Sequence, residues 1–164
     1  MTALRIAAAT LAAAVLAGGA AHADPRIVNG CRVEPETNCA YAKLENADLE
    51  GVDLSDASLH AAVLSGANLK KANLQRVDLQ VGNLSKADLR GANLERAHLF
   101  ANDLEGAQLE GANLKGVNFV DAKLQGANLK GADLTGALFE SADLAGATWS
   151  DGRVCAAGSV GACK

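Results

Sequence analysis

The sequence predicts an all-β solenoid, a chain wound around one narrow core. Large apolar residues recur at every fifth position over most of its 164 residues. Aromatic residues make up only 3%, too few for an ordinary globular core built on bulky rings. Seventeen Gly stand against two Pro, both before position 36, so turns recur along a stretch that uses no proline. The length fits one domain. A formal net charge of -4 is too mild to imply a polyanionic or polycationic partner.

The first 23 residues read as a cleavable export signal. Arg5 supplies a positive start, Ile6 to Ala17 an apolar run of 12, and Ala21-His22-Ala23 a small-x-small cleavage site. Twelve apolar residues are too few for a helix crossing a bilayer of about 30 Å, and no later run approaches the necessary length. The expected product starts at Asp24 with a charge of -5, is exported to the periplasm or beyond, and does not insert in a membrane.

From Leu44 to Trp149 the centre of each pentapeptide is large and apolar, 22 units in unbroken register. It is Leu in 19 of them, with Phe119, Phe139 and Trp149 the exceptions. Two places earlier stands Ala in 17 and Val in three, then Gly82 and Asn102. A period of five fits neither common element. Five steps of about 100° would scatter the Leu side chains around a helix axis. On a flat strand an odd period sends half of them into water. Only a chain that bends once per pentapeptide turns every Leu, and the Ala two places before it, toward one interior. Glycine-rich corners accommodate the backbone angles that such bends need.

Units such as Ala132-Asp133-Leu134-Thr135-Gly136 resemble the pentapeptide repeat family over positions 42 to 151. The resemblance implies a right-handed quadrilateral β-helix, with four units to a coil of 20 residues and about 5.5 coils. At a strand spacing of about 4.8 Å the rod is roughly 26 Å long. Residues 20 apart then stack, so Leu59, Leu79, Leu99, Phe119 and Phe139 form an internal ladder ending in two rings. Gly82 and Asn102 also stack, and the missing side chain at Gly82 leaves room for a buried amide to find a partner. Residues 24–41 and 152–164 are expected as caps, since a solenoid must shield its end edges. The flanks Asn29-Gly30-Cys31 to Cys39 and Trp149 to Cys163 resemble those of exported family members.

Four Cys in an exported chain favour disulfides. Cys31 and Cys39 lie eight apart before the repeats, and Cys155 and Cys163 eight apart after them. Joining opposite ends would have to span a rod of roughly 26 Å, far beyond the about 4.4 to 6.8 Å between bonded Cα atoms, so each pair is expected to close its own end. The spacing lacks the CxxC pattern of zinc sites, and no metal or other cofactor is expected.

No catalytic constellation emerges, and the chain reads as a non-enzyme. Its acids occupy outward repeat positions. Asp78 and His98 are expected to stack, but without a nucleophile or concavity. Two function classes remain. One is an exported scaffold that presents a flat face to a protein partner or to itself. The other is a DNA mimic inhibiting a type II topoisomerase, which some members of the resembled family are. Against the mimic, residues 42–69, 70–96 and 97–151 carry net charges of -4, +3 and -5, so a basic belt interrupts any DNA-like field. No nucleic-acid partner is expected. The side holding Leu59, Leu79, Leu99, Phe119 and Phe139 differs from the others in its outward residues. After its centres come Ala61, Val81, Ala101, Asp121 and Ser141, where most other units carry Gly, Lys or Arg. It also turns out Phe100, Val120 and Leu138, and it holds both later histidines, His60 and His98. Such a strip marks either an interface or the seat of a cap segment folded back over it.

Overall fold

A computed structural model describes residues 26–164. The export signal read in residues 1–23 lies outside the described residues. The described chain opens on a hairpin of β1 (Arg26–Val28) and β2 (Cys31–Val33), antiparallel with Val28 opposite Cys31. Asn29 and Gly30 both take positive φ, 48° and 81°, the backbone that a two-residue hairpin turn requires.

After the hairpin every backbone group follows one rule. Parallel bridges join residues 20 apart, from Asn38 with Ser58 to Asn128 with Thr148. A coil therefore takes four pentapeptides. The central N–H donates forward, as Leu44 does to the Val63 carbonyl at 2.7 Å. The N–H just before the centre donates backward, as Asn68 does to Ala47 at 2.9 Å. A tight turn follows each centre, closed by Ala47 N–H on Leu44 O at 3.1 Å, and its third residue takes positive φ. The turn residue's own N–H also donates forward, as Asn46 does to Ser65 O at 2.9 Å, and the fifth N–H, directly after the centre, is met in most units by the residue before the centre. Asp53 Oδ1 accepts from Ser55 N–H and Asp78 Oδ1 from Gln80 N–H, each at 3.0 Å. This local side-chain acceptor explains why Asp and Asn dominate that position.

The ladder begins before the first Leu-centred unit. Cys39 stands at the centre of Thr37–Tyr41, its N–H donating to Ser58 O at 2.8 Å. The core is one stack of buried Leu and Ala, with Phe119 lying on Phe139 at 5.0 Å between ring centroids.

Two disulfides, Cys31–Cys39 and Cys155–Cys163, hold the ends. The N-terminal hairpin is tied to the first coil by Arg26 on Asp48 O and Asn29 on Lys43 O. At the other end the chain reverses over the last coil, with Val154 bridging Thr148 and Val160 bridging Asp143, both antiparallel. Cys155 and Ser159 are buried over the core there. This segment covers only the sides centred on Leu144 and Trp149. On the other two sides Leu134, Ala137 and Phe139 remain half-buried.

Asn102 is fully buried, and its amide donates to Leu79 O while its Oδ1 has no partner. A methyl at Gly82 would stand 3.0 Å from that amide nitrogen and 2.9 Å from Ala62 O. The pair is therefore coupled: Gly82 is small because Asn102 is not. Gly82→Ala should destabilise the chain alone and cost less in an Asn102→Ala background, with a coupling of about 1 kcal/mol in a double-mutant cycle by denaturant unfolding. Additive effects would contradict the coupling. Leu94→Asp, placing a lone charge between buried Leu74 and Leu114, should lower stability by several kcal/mol or prevent folding, as followed by circular dichroism.

Candidate interaction surface

The outward surface is organised by the same repeat. Side chains 18 apart sit on adjacent coils and pair: Lys70 with Asp88 and Lys115 with Asp133, each at 3.2 Å. Stacked residues 20 apart do likewise, as in Arg76 Nε on Asp56 at 2.6 Å and Asn73 Nδ2 on Asp53 at 2.9 Å. Asp88 also holds Arg90 through two bonds, of 2.9 and 2.7 Å. Hydrogen bonding from Arg90, reinforced by Lys70, outweighs desolvation and lowers the Asp88 carboxyl to about 2. Asp56 and Asp133 are also lowered, Asp56 chiefly by its hydrogen bond from Arg76 and Asp133 by that from Thr135. Three of the six bases of the belt, Lys70, Arg76 and Arg90, are thus knitted into acidic neighbours.

One side departs from this pattern. Val81 is 56% exposed, Leu138 46% and Phe100 37%. Val120 is half-buried beside them, and His98 is exposed. Asp78 bridges His98 through the backbone and lies 3.8 Å from His60 Nδ1. Tyr41, expected in the cap, instead joins the strip at 71% exposure, with its ring 6.1 Å from that of His60 in an edge-on pair. All ten Lys and Arg of residues 42–151 stand on the other three sides. Neither terminal segment lies over the strip: the hairpin bonds to Lys43 and Asp48, and the C-terminal segment bridges Asp143 and Thr148.

The strip is maintained against local preference. All six of its turn residues, Tyr41, Ala61, Val81, Ala101, Asp121 and Ser141, take positive φ without being Gly. For Val81, β-branched at φ 58°, that conformation is a genuine outlier costing roughly 1–2 kcal/mol. His98 and Leu138 stand where most units place Asp or Asn, so the N–H groups of Phe100 and Glu140 lack the side-chain acceptor that Gln80 and Val120 have, a loss the strip shares with the units of Lys43, Val63 and Lys123 on a neighbouring side.

The repeat pattern matches the family model described as pentapeptide repeats, in 8 copies over residues 42–80, 83–116 and 118–148. The chain belongs to the pentapeptide repeat family. It is accordingly a right-handed β-helix. One break in the match falls at Val81 and Gly82, where the turn is strained and the core departs from Ala. Among solved structures, the pentapeptide repeat protein Rfr23 from the cyanobacterium Cyanothece 51142 is 28% identical, with 68% of this chain and 90% of that one covered and a TM-score of 0.61. The protein alr5209 of Nostoc PCC 7120 is 44% identical over 49% of this chain and 66% of that one, with a TM-score of 0.48. HetL, a pentapeptide repeat protein of the same Nostoc strain involved in heterocyst differentiation regulation, is 35% identical over 75% of this chain and 65% of that one, with a TM-score of 0.34. No curated protein matches. The two disulfides fit an oxidising compartment. Among the described residues no helix is long and apolar enough to cross a membrane.

Because the Asp88 carboxyl is held near 2 when folded, against 3.8 as its ordinary value, its stabilising contribution is present above about pH 4 and is lost as pH falls toward 2. Asp88→Asn should flatten that part of the profile. Melting temperature followed from pH 5 to pH 2 checks this, and an unchanged slope would remove Asp88 from the account.

Proposed function

We propose that this repeat protein is an exported, non-enzymatic scaffold that binds protein through its one apolar side. In this reading residues 1–23 are removed on export. The segments before Thr37 and after Asp151 then close the ends of a square rod whose Leu-centred part, residues 42–151, makes about 5.5 coils. The observation that carries the reading is the apolar group of exposed Val81, Phe100 and Leu138 with half-buried Val120, on a side free of Lys and Arg. Depletion of Lys with enrichment of aromatic residues is the composition of interface cores. Strained turns kept along the same row point the same way, since observed backbone strain is a pointer to use. The stacked Asp78 and His98, with His60 beside Asp78, serve this surface as polar contacts. Mimicry of DNA is disfavoured by the +3 belt over residues 70–96 and by export.

The double substitution Phe100→Asp, Leu138→Asp tests the reading. Both side chains are exposed, so the far-UV spectrum and melting temperature should change little, while association or capture from the envelope fraction is lost. Unchanged hydrodynamic size together with unchanged capture would refute it.

A further inference from the structure

The strip is not merely apolar; it is complementary to itself when reversed. Its outward residues form three columns along the rod axis. Before the centres run Asn38, Ser58, Asp78, His98, Asn118 and Leu138. After them run Ala40, His60, Gln80, Phe100, Val120 and Glu140, and at the turns Tyr41, Ala61, Val81, Ala101, Asp121 and Ser141. A twofold axis lying in the face, perpendicular to the rod and midway between the Val81 and Ala101 turns, keeps each column opposite itself and inverts its order.

Under that operation Asp78 meets His98 of the second copy, and His98 meets its Asp78. The carboxylate thereby gains an imidazole N–H donor at both places beside the axis. Phe100 lies over Gln80, and Val81 over Ala101. His60 falls opposite Val120, next to Asp121, and Tyr41 opposite Ser141, next to Glu140. The acidic end of the strip, Asp121 and Glu140, thus covers the end that holds Tyr41 and His60. With the two rods parallel instead, the twofold axis runs along the rod and reverses the columns across the face, so Asp78 meets Gln80 and Val81 and Glu140 meets Leu138, and the carboxylates lose their imidazole partners. The absence of Lys and Arg removes the charges that would otherwise keep two such faces apart.

We propose that the occupant of this face is a second copy of the chain, docked antiparallel in this register. The proposal rests on the reading of the side as an interface and names its partner. The face is roughly 26 Å long and about 10 Å wide, less than the roughly 800 Å² per partner of a standard stable complex, so the dimer exchanges with monomer. Val81 is the residue whose conformation costs the monomer most, and it stands on one of the two coils that flank the axis.

Sedimentation of the disulfide-intact protein from about 1 to about 500 µM should show monomer passing into dimer. Register is read by cysteine pairing. Ala61→Cys and Asp121→Cys stand opposite each other across the axis. Like positions on the two copies are three coils, about 14 Å, apart, beyond the reach of a disulfide. Mild oxidation of the mixed variants should give a covalent dimer, and of either alone none. Val81→Gly should melt higher than the parent while dimerising about tenfold more weakly, a split that a purely structural role would not produce. Dimers from either single-cysteine variant alone would overturn the register, and a monomer at every concentration would overturn the second copy. If that monomer still captures an envelope protein through Phe100 and Leu138, the scaffold reading survives this failure. Loss of both removes the two together.

Discussion

One residue in every five of this chain must hold a left-handed backbone angle. That constraint organises everything else. It bends the chain after each central Leu, which brings the next Ala and Leu inward and the intervening polar residues outward. It also sets the centre-to-turn hydrogen bond, and thereby frees the other backbone groups to pair with the coils before and after. Gly meets the angle without a side-chain penalty, whereas Val81 meets it at a cost. A longer or shorter unit would break the 20-residue register on which the Leu and Phe columns depend.

The side chains then divide between two uses. On three sides they are spent on the rod itself: acceptors for the fifth N–H, Asn ladders, and ion pairs between adjacent coils. The fourth side gives up part of that. No turn there is relieved by Gly, whereas each of the other sides has Gly at some of its turns. Lys and Arg, which elsewhere pair across coils, are missing from it. Each departure weakens the isolated chain slightly, and together they leave a surface that water solvates poorly.

Most of the fold was legible because the repeat over-determines it. Twenty-two units in register, each with a large centre and a small residue two places earlier, admit no helix or flat strand. The strip was legible for the same reason, since a 20-residue stack turns sequence position directly into surface position. What escaped lies where register is carried by the backbone and not by Leu. Cys39 occupies a centre that its disulfide obscures, so Thr37–Tyr41 read as cap and Tyr41 was missed. His60 meeting Asp78 needed the 18-residue offset between columns, which only the placed side chains reveal. The hairpin turned on Asn29-Gly30, a two-residue signal overshadowed by the repeat that follows.

The ends follow from the ladder as well. A β-helix terminates in a row of unpaired groups, and an open edge invites further strands. Here the chain covers half of the last coil by turning back antiparallel: Ser159 O takes the Leu144 N–H and Cys155 O that of Gly146, with Cys163 clamped to Cys155. Antiparallel return ends the winding, because no further unit can add in the parallel sense on those two sides. A parallel continuation would have extended the coil and merely moved the edge. The disulfide matters most in that place, where the returning segment is too short to be held by core burial alone and a closed loop restricts its unfolded alternatives. Stability in such a rod is a sum of neighbouring interfaces, so a frayed end propagates inward one coil at a time unless something fixes it. The two covalent links stand at the two positions where that sum has only one neighbour to draw on.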